Sequence, residues 1–124
     1  MLGKINPVEM VQLDNVRLKE LYLQLGPNGA ENVISRAMEE LAVRLAKVSR
    51  AYGSGRLDEV QKVAHSIAGI ADQIGMSVLG GVAKDVALLT KRNDGAALAA
   101  TAARLSRLGE RSLMAVWELQ DLSV

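Results

Sequence analysis

The chain is expected to fold as an all-α domain: an antiparallel, up-down-up-down four-helix bundle with an additional N-terminal capping helix. Three observations lead there. Hydrophobic residues make up 49% of the 124 positions, with no Phe, one Trp and two Tyr, so the core must be aliphatic and rich in the strong helix formers Ala and Leu. The two prolines stand near the start, at Pro7 and Pro27. Apolar residues then recur at alternating spacings of three and four, the period of a helix with one buried face. The length fits a single domain, residues 1–124, with a single core.

Turn signals divide the chain into five helical segments. The first runs from about Pro7 to Leu25, with Asn6 as N-cap and proline at the first helical position, and stops at GPNG, residues 26–29. The second, about Ala30 to Tyr52, carries the stripe Ile34, Met38, Leu41, Leu45, Val48 and Tyr52 and ends at GSG, residues 53–55. The third, about Arg56 to Ile74, carries Leu57, Val60, Ala64, Ile67, Ala71 and Ile74, and Gly75 follows as a C-cap. The fourth, about Met76 to Arg92, carries Leu79, Val82, Val86 and Leu89 before the NDG turn at 93–95. The fifth, about Ala96 to Gln120, carries Leu98, Ala102, Leu105, Leu108, Val116 and Leu119. Short links force neighbouring helices antiparallel, so four long helices make the bundle and the first segment caps it.

Composition narrows the function. The formal net charge is +1 with acids and bases interspersed, which leaves no clustered basic face for nucleic acid. No cysteine is present, which removes disulfides, thiol nucleophiles and Cys-based zinc sites. One histidine and scattered carboxylates offer no metal-ligand spacing, so a hydrolase or metalloenzyme is not expected. The pairs Glu39–Glu40 and Asp58–Glu59 read as solvated faces or first-turn acids. The start, MLGKINPVEM, lacks the apolar region of a signal peptide, and no run of about 20 apolar residues occurs. A cytoplasmic protein without membrane attachment is expected.

The segment AHSIAGIADQIGM, residues 64–76, holds that single histidine. At 100° per residue, His65 lies roughly 130° from the mean direction of its helix's apolar stripe, and Gly69 roughly 170°. Both should face outward. Gln61, Lys62, Ala68 and Gly69 neighbour His65 at helical spacing, and Asp58 and Asp72 lie on the same side. Taken alone, an outward histidine is an ordinary polar residue. A glycine inside the same helical face is harder to explain, because it costs about 1 kcal/mol against alanine. Something outside the helix needs the room.

Ala64, His65, Ile67, Gly69 and Gly75 match in register the helix motif of the histidine-containing phosphotransfer (HPt) domains of bacterial and plant phosphorelays, which this chain resembles. The preceding GSGRLDEVQKVAHSI, and Leu79, the NDG turn and the Ala-Leu run after it, are similar too; the likeness spans about residues 30–120. Two positions depart. The family's lysine before the first glycine is Ala68 here, and the glutamine that orients the imidazole from the next helix falls on Ala87. Lys62, Lys84 and Lys91 are cations placed to compensate, although each alone reads as a surface charge.

The resemblance implies a phosphoryl carrier with His65 as phosphoacceptor. One imidazole nitrogen would attack a receiver domain's aspartyl phosphate and later return the phosphoryl group to another receiver aspartate. A free imidazole suits this, being largely neutral above its unperturbed pKa of about 6.5. The partners implied are response-regulator receiver domains, a hybrid histidine kinase, or both, with Mg²⁺ carried by the receiver and no cofactor on this chain. No GxxxxGK[ST] loop is present, so no autonomous kinase site is expected. The partner surface would comprise Lys62, Ala68, Gly69, Asp72 and Lys84, with Ser66, Ile70 and Met76 nearby. Two other readings stay open: an HPt-like adaptor that binds a receiver or kinase without carrying phosphate, and a generic helical interaction module.

Overall fold

The computed structural model describes residues 14–122, with side chains through residue 118. Among these there are four α-helices and no strand: α1 (Asn15–Gly53), α2 (Leu57–Gln73), α3 (Ser77–Leu89) and α4 (Gly95–Leu122). The expected start at Asn6–Pro7 lies outside the described residues. Among the described residues helix α1 begins behind Asp14, whose carboxylate accepts hydrogen bonds from the Val16 and Arg17 amides at 3.0 and 3.3 Å.

The first two predicted segments meet at a kink inside α1 rather than across a loop. Gly26 leaves the helical path (φ 74°, ψ 171°), and Pro27 follows without an N–H to donate. Buried Leu21 and Ala30 flank the bend, so both halves contribute to the core.

The α1–α2 and α2–α3 links are the same device. In each, a glycine with positive φ (Gly55 at 73°, Gly75 at 80°) sits just past the helix end. The next residue's amide reaches back five positions: Arg56 to the Ala51 carbonyl at 2.9 Å, and Met76 to the Ala71 carbonyl at 2.8 Å. The glycine amides bond to Tyr52 and Asp72. This is the Schellman closure, and the left-handed residue in it favours glycine. The second link is also tied to α1: the Asp14 amide donates to the Gly75 carbonyl at 2.6 Å, and Arg17 Nε donates to the Gln73 carbonyl at 2.8 Å. At the last link Asp94 accepts from the Ala97 amide at 3.0 Å and opens α4.

Among the described residues each helix packs most closely on two others, α1 on α2 and α4, and α3 on α2 and α4. Met38, Leu41, Val60, Ile67, Leu79, Val86, Leu105 and Leu108 fill the centre, fully buried. Each such side chain contributes about 1.5–3 kcal/mol through removal from water. The predicted stripes supply these residues; of the other stripe positions Leu45, Tyr52, Leu89 and Ala102 are only partly buried, and Leu57, the first residue of α2, is 40% exposed, because it stands at the helix end beyond the core. Leu119 lies outside the described side chains. No helix among the described residues is long and apolar enough to cross a membrane.

Candidate functional site

The inward face of α2 is fixed by Val60, Ala64, Ile67 and Ala71, all fully buried. With those four turned in, His65 emerges exposed near the middle of the helix. Among the described residues no hydrogen bond or ion pair engages its imidazole. Ser66, its neighbour, directs its hydroxyl hydrogen back to the Val63 carbonyl at 2.7 Å. One turn further along, Gly69 is exposed, and a Cβ built on it would meet nothing within 4 Å. The glycine therefore answers no packing demand within the described molecule.

Lys62 is exposed and shares the outer side of α2 with His65. Asp72 and Lys84 come together across the α2–α3 seam, with Lys84 Nζ donating to Asp72 Oδ2 at 2.9 Å. Their side chains are 42% and 61% exposed, so the pair contributes at most about 1 kcal/mol, and less in salt. Lys84 is thus already engaged by a carboxylate, and Lys91 is exposed beyond the end of α3.

Two expectations need correcting. Ala68 does not belong to an accessible surface: it is 2% exposed. Helix α2 packs on α3 as well as α1, which widens its buried face past the stripe and takes in Ala68. Met76 is likewise buried, at 1% exposure, because the Schellman closure turns the chain inward before α3 begins. Ile70 and Ala87 are partly buried and pack against the core.

Two features escaped the sequence reading. Gly80 lets α3 approach α2 closely: a Cβ there would run into the Asp72 carboxylate and lie 3.5 Å from the Ala68 carbonyl oxygen. The second is a contribution from α1. Val43, Arg44 and Lys47 line a cleft of about 310 Å³ with Lys62, Val63 and Ser66 of α2. Spacing along one helix cannot reveal which residues of another helix lie beside it.

Among the described residues no group of three or more His, Cys, Asp or Glu side chains is arranged to hold a metal ion. The site thus offers an exposed imidazole with no bonded partner among the described residues, open space one turn further along at Gly69, and an exposed Lys62 one turn before it. Comparison of the chain with protein-family models, curated proteins and solved structures gave no significant match in any of the three.

Proposed function

We propose that the chain is a histidine phosphotransfer protein of a two-component phosphorelay, with His65 as phosphoacceptor. The observation that carries this reading is an outward imidazole followed, one turn on, by a glycine over which nothing packs. Phosphoryl transfer depends on in-line approach and positioning, and an unobstructed helix face admits a partner's active site. A neutral imidazole nitrogen attacks phosphorus of an aspartyl phosphate. The N–P bond forms, the O–P bond breaks, and the aspartate leaves as carboxylate. In the reverse direction a second receiver aspartate takes the group back. The receiver supplies Mg²⁺ and the acidic pocket; this chain supplies the nucleophile and the docking face of Lys62, Gly69, Asp72 and Lys84. Such a carrier works in the cytoplasm beside its receivers.

In this reading the helices run antiparallel, up-down-up-down, and the segment before Gly26 caps one end. Contacts between opposite helix ends support it. Asp14 and Arg17 open α1 and bond to Gly75 and Gln73 at the end of α2. Gly80, early in α3, meets Asp72, late in α2. The same register carries Ala87 level with His65, the position from which the family's glutamine orients the ring.

That alanine is the observation behind a second reading, an adaptor that binds a receiver or kinase without carrying phosphate, since no described side chain bonds to the imidazole. The test is incubation with a panel of phosphorylated receiver domains and hybrid kinases. Wild type is expected to take up label in an acid-labile, base-stable form, and His65→Gln to take up none. Binding without label in wild type would replace the carrier with the adaptor. Neither binding nor label across the panel would leave a generic helical module.

A further inference from the structure

We infer that the cleft between α1 and α2 is a docking groove for an acidic segment of a partner protein. The charge pattern begins in the sequence. Between Glu40 and Asp58 there is no acidic residue, while Arg44, Lys47, Arg50 and Arg56 all fall in that stretch. The fold sets part of this stretch against α2, so that Arg44 and Lys47 line one wall of the cleft and Lys62 the other.

The nearby carboxylates are mostly committed. Glu40 is bound by Arg44 at 2.9 Å, and Glu59 by Arg56 at 3.1 Å. Asp58, one turn before Lys62, forms no ion pair with it. Among the described residues Lys47 and Lys62 have no anionic partner, in contrast to Lys84 on the other flank of α2. Lys47 and Lys62 line one cleft without an ion-pair partner, and an entering carboxylate would supply one to both. Val43 adds an apolar contact: it lines the same cleft and is 64% exposed.

The matching occupant is a protein segment with two or more Asp or Glu side chains and an aliphatic residue beside them. Its recognition does not depend on whether His65 carries phosphate. Docking here would bring such a partner alongside the imidazole, since Lys62 stands one turn from it.

The experiment is an amide NMR titration of the full chain with a capped ten-residue oligoglutamate peptide, at low salt and again at physiological salt. Shifts are expected to concentrate at Arg44, Lys47, Lys62 and Ser66 and to weaken as salt rises. Lys47→Glu with Lys62→Glu is expected to weaken binding about tenfold or more, the scale for reversing two rim charges. Both positions are exposed, so circular dichroism should show an unchanged fold. His65→Gln is expected to bind the peptide like wild type, which separates this groove from the relay proposal. Shifts spread evenly over Lys19, Arg92 and Arg111, or undiminished in the double variant, would overturn the inference. So would preferential binding of a single-stranded oligothymidylate of equal charge, which would assign the groove to nucleic acid instead.

Discussion

Gly69, on the outer face of α2, and Gly80, in the seam between α2 and α3, are both interior helical glycines. Each gives up about 1 kcal/mol of helix propensity relative to alanine. Their surroundings differ. Around buried Gly80 a side chain would run into the Asp72 carboxylate and touch the Ala68 carbonyl, so the molecule's own neighbours take up the space there. Buried Ala64, Ala68, Ala71 and Ala83 belong to the same tightly packed region. Around Gly69 there is open space. One glycine has neighbours in the fold; the other, one turn from the exposed His65, has none among the described residues, and the proposed reading uses that room for a partner. A motif written as residue letters cannot separate these two uses; the neighbours of each Cβ position can.

Exchanging side chains at the two positions tests that contrast most strongly. Gly80→Leu forces the α2–α3 seam apart and is expected to cost about 1–3 kcal/mol, read as a lowered urea midpoint. Gly69→Leu has nothing to displace and should leave stability unchanged or slightly raised. Equal losses at both positions would erase the distinction.

A smaller effect sharpens it. Gly69→Ala is expected to stabilise the protein by about 0.5–1 kcal/mol, because the helix gains propensity and loses no contact. Gly80→Ala should gain less when the two are compared by thermal melts, since the new methyl displaces Asp72 from Lys84. Smallest of all is that ion pair itself. Asp72→Asn and Lys84→Ala, combined in a double-mutant cycle, should couple by less than about 1 kcal/mol, fading in high salt.

The core was largely legible in the sequence. Met38, Leu41, Val60, Ile67, Leu79, Val86, Leu105 and Leu108 were identified by three-four spacing, because a helix repeats every 3.6 residues whatever it packs against. The outward direction of His65 and Gly69 follows from the same rotation. Ala68 is buried against the expectation because one stripe describes one contact, whereas α2 is covered by two neighbours. GPNG was legible as an interruption, yet local signals do not say whether the chain turns back or bends. Here Gly26 bends it, and the helix continues through Pro27. Gly80 and Lys47 carry no signal in the sequence, since their significance comes from another helix.

The central claim is that the face around His65 is kept clear so that a receiver can reach the imidazole. Single-turnover transfer from a phosphorylated receiver that labels wild type measures this directly when repeated with Gly69→Leu. The expected result is rapid label on His65 in wild type and transfer slowed at least about tenfold in the variant, with its stability intact. Equal transfer rates in the two proteins, or label on a residue other than His65, would contradict it.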